Sequence, residues 1–283
     1  MISYPHEAEQ IRRLQNGHAN HIESIYHSLA TLPGNPDQVC VTQIGQTRTF
    51  IAKGWRLENR AILTGNESFP ELDEVMKHFA DHKSNCVIEI NPANFYRSQP
   101  FSWDAEVVPH LLKRGCYIDM FRCVWQTFTP HQMKPPIDVD IRVLGFGEIE
   151  AYADLAVQVE GAENWDQERW RRVRYGESQP GWHHLIGFSE GRPCALAVLY
   201  VQEGLGYLAW GYTHPEYRRR GLHEALVARR LELAFELGCQ CAFTVTDPYT
   251  QSARDLQRAG FHLSYNYLLL RREFDAEEHQ SEK

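Results

Sequence analysis

A strand, a short basic loop and a long helix follow one another directly in the second half of this sequence, and their order constrains the fold more than any other feature. Residues 206–213 have the pattern of a strand, and residues 219–237 have the apolar spacing of an amphipathic helix. Three consecutive arginines, at 218–220, and Gly221 stand at the junction. Helix N-termini leave backbone N–H groups unpaired and carry partial positive charge, so the junction predicts a phosphate-binding site.

The residue types at this junction favour a pyrophosphate. Gly221 has no Cβ, so a ligand can approach the backbone closely, and arginine adds charge-assisted hydrogen bonds to phosphate oxygens. The sequence contains neither GxxxxGKS nor GxxxxGKT, which disfavours a nucleoside triphosphate site. It also has no GxGxxG after the first strand of either half, which disfavours a dinucleotide fold.

The order of the remaining elements predicts an α/β protein with a mixed (α+β) sheet and helices on both faces. From residue 137 onward the periodicity gives β-α-α-β-β-β-α-β-α-β. Residues 129–136 hold three prolines and no periodic apolar pattern, which is typical of an extended linker. We therefore expect two domains, at residues 1–131 and 132–283.

The two predicted domains end in the same α-β-α-β order, which indicates a duplication. Aligning Gly115 with Gly260 places Leu111 on Leu256, a weak internal repeat that favours two related domains in tandem. The first domain has no counterpart to the arginine loop, because residues 65–70 contain one glycine, one acid and no arginine. We expect this domain to be degenerate and to bind no phosphate there, and to cover the substrate cleft or form a dimer surface.

The junction resembles the coenzyme A loop of the Gcn-five-related N-acetyltransferase (GNAT) family. That loop has Arg or Gln, two residues of any kind, Gly, one further residue, and Gly or Ala; the run 218–222 matches it, after the His-Pro-Glu-Tyr run of 214–217. Residues 252–261 resemble the last helix of the family and its Gly-Phe entry into the next strand. The resemblance covers roughly the second half of the chain. It implies an acyl-CoA N-acyltransferase fold and transfer of an acetyl group from acetyl-CoA to an amine.

The resemblance also implies which residues hold acetyl-CoA. The end of one strand would contact the pantetheine arm, the amides that begin the long helix would bind the pyrophosphate, and the last helix would line the far side. The implied cofactor-binding residues are Tyr212, Thr213, Arg218, Arg219, Arg220, Gly221, Leu222, His223, Glu224, Ser252 and Arg254.

Two positions depart from the family pattern. His223 stands where the loop ends in Gly or Ala, so its side chain either points away or meets a phosphate as an extra donor. Leu256 stands where the family has its general-acid tyrosine, so protonation of the leaving thiolate needs another donor or water. Tyr249, just before the last helix, is the first candidate for that acid, although it could instead cap or pack the helix start.

The general base has candidates in a different segment. Glu160, Glu163 and Asp166 stand in the segment between the first two helices of the second domain, among tryptophans, where the acceptor site of such folds lies. An acidic, aromatic wall suits a cationic amine. Glu163 is the predicted base, Asp247 at the end of a strand is its competitor, and ordinary surface carboxylates are the alternative.

Two histidines have the spacing of a zinc-binding pair, and they form the one metal-binding pattern in the sequence. His78 and His82 stand four apart on a predicted helix, but no Glu follows His78 as in HExxH and no third ligand is evident. The seven cysteines include no CxxC pair and are an odd number, which argues against a zinc ribbon and a disulfide framework. We therefore expect no metal and a reduced, cytoplasmic protein.

Composition limits the partners. The net charge of −8 lies mostly in the second half and repels a phosphate backbone, so we expect no nucleic acid and a small cationic substrate. The longest apolar run, 194–201, is too short to cross a membrane, and residues 1–10 have no apolar core of a secretory signal. Oligomeric state is open, with a homodimer one possibility.

These observations predict an N-acetyltransferase that transfers an acetyl group from acetyl-CoA to a primary amine of a small molecule by direct attack. One alternative is an acyltransferase that uses a different acyl-CoA. A second is a non-catalytic acyl-CoA sensor that regulates a partner, which the absent tyrosine would permit. A third is a binding module without cofactor, favoured only if His223 blocks the loop.

Overall fold

The computed structural model describes most of the chain, namely residues 4–53, 59–64, 67–91, 103–130, 139–145, 152, 156–157 and 180–274. The predicted mixed α/β sheet is confirmed. The two helices predicted at 148–160 and 165–174 lie almost entirely outside the described residues, although Tyr152 and residues 156–157 are helical. Among the described residues, no helix combines the length and apolar character needed to cross a bilayer.

The first half of the chain forms three helices and five strands in the described residues. In chain order they are α1 (Tyr4–Ala30), β1 (Cys40–Ile44), β2 (Thr47–Ile51), β3 (Arg60–Leu63), α2 (Phe69–Asp81), β4 (Cys86–Ile90), α3 (Trp103–Leu112) and β5 (Tyr117–Thr127).

The second half adds six strands and two further helices among the described residues, with one 3-10 turn at Pro215–Tyr217. In chain order they are β6 (Val139–Val143), β7 (Trp182–Ser189), β8 (Arg192–Gln202), β9 (Leu205–Thr213), α4 (Leu222–Glu236), β10 (Cys241–Thr246), α5 (Gln251–Arg258) and β11 (His262–Arg272).

The chain divides into two compact units that do not coincide with the predicted domains. The first unit comprises residues 1–122 and 265–283, and the second comprises 123–264. The predicted domains, residues 1–131 and 132–283, stay a prediction, and the two units differ from them in that residues 265–274 group with the first unit. The physical reason is the pairing of the last strand of each half, because a strand belongs where its backbone hydrogen bonds are made.

Each unit is completed by a strand from the other half of the sequence. In the first unit, residues 268–272 of β11 pair antiparallel with 86–90 of β4. In the second unit, residues 123–127 of β5 pair antiparallel with 242–246 of β10. The strand order is β1-β2-β3-β4-β11 in the first unit and β5-β10-β9-β8-β7-β6 in the second.

The predicted repeat has a matching backbone in the two units. One parallel pair occurs in each described sheet, β3 with β4 and β9 with β10, and a helix connects the two strands each time. The ends of α3 and α5 also correspond, since Cys116 N donates to Leu111 O at 3.2 Å and Phe261 N donates to Leu256 O at 2.9 Å. The glycines between them have φ of +83° and +85°, the left-handed helix termination that glycine favours.

The start of α4 is fixed by the core of the second unit. Leu222, Leu226 and Leu231 of this helix are buried in one apolar cluster with Leu185 and Ala197 from the strands. Burying a leucine side chain fully contributes roughly 1.5–3 kcal/mol. These leucines therefore hold the N-terminus of α4 in a defined position beside β9.

Candidate functional site

Strand β9 contains a β-bulge near its C-terminal end. Ala197 pairs with Gly211, whereas the next residue of β8, Val198, pairs with Ala209, so Trp210 is the extra residue of a β-bulge. A bulge of this kind bends the strand and redirects the residues that follow it. The segment from Gly211 to the end of β9 stays paired with β8 in a shifted register, whereas β10 pairs with β9 only at residues 205–207.

A buried arginine on α4 holds this irregularity in place. Arg230 Nη1 donates to Val198 O at 3.3 Å and to Ala209 O at 2.8 Å, and its Nε donates to Leu226 O at 3.1 Å. Burial lowers the pKa of Arg230 to about 10, against the opposing effect of Tyr152 and Tyr207. Arg230 is a positioning residue for the bulge that the sequence analysis missed. Its signal was its place on the apolar face of α4, four residues after Leu226.

The loop after β9 curls through two left-handed residues. Arg219 has φ of +63° and Gly221 has φ of +80°. The left-handed region is costly for a residue with a side chain, so Arg219 is held there by its surroundings. Arg218 Nε donates to Thr213 O at 3.1 Å, which ties the loop back to the end of β9.

The N-terminus of α4 is left open by this loop. Gly221 is its N-cap and provides no side-chain hydrogen bond. In this first turn Ala225 N donates to Gly221 O at 2.9 Å, so the amides of residues 222–224 precede the helical ladder. Together with the partial positive charge of the helix end, these amides are suited to bind an anion.

A cavity of about 650 Å³ lies at this point of the second unit. It is bounded by the end of β9, the loop, the first turn of α4 and one face of α5. The lining residues are Gly211, Tyr212, Thr213, Tyr217, Arg218, Arg219, Gly221, Leu222, His223, Glu224, Gln251, Ser252, Asp255 and Arg258.

The structure brings all but two of the predicted cofactor-binding residues to this cavity. The exceptions are Arg220 and Arg254, which are exposed and do not line it. The Arg220 guanidinium lies 5.2 Å from the Tyr217 ring, and Arg254 Nη1 lies 3.5 Å from Gln251 Oε1. Of the three consecutive arginines, only Arg218 and Arg219 are placed to meet a ligand in the cavity.

The far wall of the cavity carries a polar network that the sequence analysis did not find. Arg258 Nη2 donates to Asp255 Oδ1 at 2.6 Å and to Glu224 Oε1 at 3.0 Å. Gln251 Nε2 donates to the same Asp255 oxygen at 2.7 Å. The charge of Arg258 is thus shared by two carboxylates. No ion pair joins Arg218 or Arg219 to a carboxylate among the described residues. The positive charge of these two arginines is therefore available to bind an anionic ligand.

His223 faces this network. Its Nδ1 lies 3.2 Å from Asp255 Oδ2. Burial and the charge of Arg230 lower its pKa, while Asp255 and Glu224 act in the opposite direction. The side chain is turned toward Asp255 of α5 and also lines the cavity, so the two orientations considered from the sequence stay open.

The predicted catalytic side chains are not assembled at the cavity among the described residues. Glu163, with its neighbours Glu160 and Asp166, lies outside the described residues. Asp247 and Tyr249 are described but do not line the cavity. Tyr249 is 93% exposed and has φ of +61°. The charge of Asp247 helps to raise the pKa of the Cys123 thiol, after the larger effect of burial. Leu256 is buried in the core, so no tyrosine-like donor stands at that position.

Comparison with known proteins agrees with this geometry. Residues 149–261 match the model of the acetyltransferase (GNAT) family. No curated protein sequence matches the chain significantly.

Several solved structures share the fold at low sequence identity. A GCN5-related N-acetyltransferase from Kribbella flavida has a TM-score of 0.60 at 18% identity, covering 88% of this chain and 95% of that one. A tandem GNAT protein from the clavulanic acid biosynthesis pathway has a TM-score of 0.58 at 13% identity, covering 81% and 78%. A functionally unknown conserved protein from Staphylococcus epidermidis has a TM-score of 0.57 at 12% identity, covering 88% and 100%.

These likenesses extend over both halves of the chain, whereas the family model matches only the part that contains the loop and the cavity. The fold is that of GNAT proteins, including a tandem one. The segment from residue 149 to residue 261 is similar in sequence to acetyltransferases of the GNAT family.

Proposed function

We propose that this protein binds acetyl-CoA in the cavity of the second unit and transfers the acetyl group to a primary amine of a small, cationic molecule. The observation that carries the proposal is the open N-terminus of α4, with Gly221 in the left-handed region and Arg218 and Arg219 lining the same cavity. Amides and guanidinium groups are the donors that a pyrophosphate requires.

The lining residues fit the parts of acetyl-CoA in sequence. The amides of residues 222–224 and the two arginines suit the pyrophosphate. Backbone groups of Gly211, Tyr212 and Thr213, redirected by the bulge, suit the amide-containing pantetheine arm.

Acetyl-CoA supplies a thioester whose carbonyl carbon is open to nucleophilic attack. The neutral amine nitrogen forms a bond to that carbon, the carbon–sulfur bond breaks, and the thiolate takes up the proton that the amine loses. The second unit contributes position, by holding the two reactants together in a defined geometry. A backbone N–H near the bulge is suited to donate to the carbonyl oxygen as negative charge develops there. The acidic net charge of −8 supports a cationic acceptor.

A binding experiment tests the first half of the proposal. We expect micromolar affinity for acetyl-CoA by isothermal titration calorimetry. An Arg218→Ala, Arg219→Ala double variant removes two charge-assisted hydrogen bonds of about 1.5–3 kcal/mol each, so its affinity falls by about 100-fold or more. The matched control is Arg220→Ala, Arg254→Ala, which loses the same charge at two positions that do not line the cavity. Equal losses in both variants, or no binding by the wild-type protein, would contradict the proposed site.

A second candidate function is binding of acyl-CoA without catalysis. It is favoured by the finding that neither Asp247 nor Tyr249 lines the cavity. The two functions are separated by measuring release of the CoA thiol from acetyl-CoA in the presence of polyamines, aminoglycosides and amino acids. Turnover with any of these amines supports the transferase. Tight binding with no turnover on any amine or acyl chain supports the sensor.

A further inference from the structure

Three side chains of the first unit that can bind a metal lie close together, outside the lining of the cofactor cavity. They are Cys40, His78 and His82, and each offers one ligand atom within 4.8 Å of the other two. Sequence spacing revealed only the two histidines, because Cys40 is almost forty residues earlier in the chain. The third ligand that the sequence analysis found lacking is supplied by the packing of β1 against α2.

Local structure explains why these three residues converge. His78 and His82 are one turn apart on α2 and its C-cap, so their side chains lie on the same face, with ring centroids 4.4 Å apart. Cys40 begins β1, the edge strand of the first unit, and packs against the core that α2 also covers. All three residues are half-buried.

The hydrogen bonds of the two histidines leave ring nitrogens available. His82 Nδ1 lies 2.8 Å from His78 O. Because a carbonyl only accepts, Nδ1 carries the proton and Nε2 keeps its lone pair. A bond of this type from the other ring nitrogen is the usual orienting contact of a metal-bound histidine. His78 Nε2 is buried and has no hydrogen-bond partner among the described residues.

We propose that Cys40 Sγ, His78 Nε2 and His82 Nε2 bind one Zn²⁺ ion. A thiolate with two imidazoles is a donor set that suits zinc and not the oxygen-seeking Mg²⁺ or Ca²⁺. Tetrahedral zinc with bonds of about 2.0–2.3 Å needs ligand atoms about 3.4–3.6 Å apart, which rotation of side chains at the surface achieves from the observed separation. On binding, the Cys40 thiol loses its proton to solvent, and water fills the fourth position. The ion joins the edge strand β1 to α2.

Cobalt substitution tests the site in the full-length protein. After chelator treatment, one equivalent of Co²⁺ is expected to give a thiolate-to-cobalt charge-transfer band and the d–d bands of a tetrahedral site, and Zn²⁺ is expected to abolish both. Cys40→Ser is expected to lose the charge-transfer band and His82→Gln to lose the tetrahedral spectrum. His27→Gln, which changes an exposed histidine of α1 in the same way, is the control and is expected to keep both. An octahedral spectrum without the thiolate band would overturn the proposal.

A second measurement keeps the proposal testable if a variant fails to fold. Cys40 alone among the seven cysteines, all of which are described, is not buried. In the folded wild-type protein, iodoacetamide should therefore modify Cys40 first, as read by peptide mass spectrometry. Zn²⁺ is expected to suppress that modification and Mg²⁺ to leave it unchanged. Modification of Cys40 at the same rate with and without Zn²⁺ would refute the site.

Discussion

The two units contain the same parallel strand–helix–strand connection, β3-α2-β4 in the first and β9-α4-β10 in the second, yet the two helices begin in opposite ways. At the start of α2, side chains of the protein accept hydrogen bonds from the backbone. Ser68 is its N-cap, and the side chain accepts from Glu71 N at 3.4 Å. Glu67 stands just before it and accepts from Thr64 Oγ1 at 2.9 Å. Protein oxygens therefore occupy the region where an anion would otherwise bind.

The start of α4 lacks these devices. Gly221 provides no capping side chain, and the arginines before it have no carboxylate partner among the described residues. In the first unit, acidic side chains near the helix start accept hydrogen bonds from the backbone of the same unit. Glu71 Oε1, for example, accepts from Gln46 N at 2.7 Å in the β1–β2 turn. A helix N-terminus is open to a ligand when the chain leaves its donors unsatisfied, and the two units show a capped and an uncapped helix start on one topology.

The largest expected effect concerns the internal charges of the first unit. Glu89 on β4 is fully buried and is bonded to Arg60 and His18. Removing one member of a buried ion pair leaves the other charge uncompensated, so Glu89→Gln should lower the free energy of unfolding by about 3–5 kcal/mol. Urea unfolding measures this loss. The control is Glu232→Gln, which breaks a surface pair with Arg229 and should cost less than about 1 kcal/mol.

The same residue gives a pH dependence. Burial alone would raise the pKa of Glu89, but the charges of Arg60 and His18 and their hydrogen bonds lower it to about 2. The folded pKa thus lies below the unfolded value of about 4.3, so this stabilisation is complete above that value and is lost as the pH falls toward 2, by roughly 3 kcal/mol in all. Urea unfolding of the wild-type protein and Glu89→Gln should differ less at pH 3 than at pH 6. An undiminished difference would argue against the ion pair as the cause.

The next effect sharpens the contrast at the helix start. Gly221→Val places a branched side chain in the left-handed region and beside the open amides, so we expect acetyl-CoA affinity to fall by about 100-fold. Gly191→Val is the matched control. Gly191 is likewise in the left-handed region, with φ of +74°, and has open space around it, but it lies in the β7–β8 turn. Both variants carry the same backbone strain, and only the first should lose binding in calorimetry. Comparable losses would assign the effect to strain.

A smaller effect compares two helix caps. Ser68 caps α2, and Thr250 Oγ1 caps α5 by accepting from Ala253 N at 3.2 Å. Replacing either by Ala should reduce the free energy of unfolding by about 1 kcal/mol. Since α5 carries Ser252 and Asp255 of the cavity wall, Thr250→Ala should also weaken acetyl-CoA binding, whereas Ser68→Ala should leave it unchanged. Equal affinities in the two variants would mean that α5 does not contribute to the site.

The smallest effect is expected at His223. Its imidazole is turned toward Asp255, and its backbone amide is retained in any variant, so His223→Ala should change acetyl-CoA affinity by less than about threefold. Calorimetry at neutral pH measures this. A loss of 100-fold would instead identify the imidazole as a hydrogen-bond donor to the phosphate. The start of α4 would then bind its ligand through a side chain as well as through backbone amides.

Sequence patterns predicted the parts of the molecule that are built from neighbouring residues. The strand, loop and start of α4 are continuous in the chain, and most of the predicted cofactor residues line one cavity. The termination of α3 at Gly115 and of α5 at Gly260 was also readable, because a left-handed C-terminal glycine acts within a few residues.

Contacts between distant residues were not readable. Arg230 appeared as one charged residue on an amphipathic helix, and its two strand carbonyls belong to residues 21 and 32 positions away. Cys40 and His78 met only through the packing of β1 on α2. The strand pairings of β5 with β10 and of β11 with β4 were not readable for the same reason, since each joins strands from different halves of the chain.

The sequence by itself determined most of the described secondary structure and the order of strand, basic loop and helix at the junction before α4. These depend on periodicity, glycine and charge within short stretches, where local propensity acts. Only the tertiary structure decided which arginines face the cavity, which strand completes each sheet, and that a cysteine joins the histidine pair. Those outcomes depend on long-range pairing and packing, for which many partners are compatible with the same local pattern.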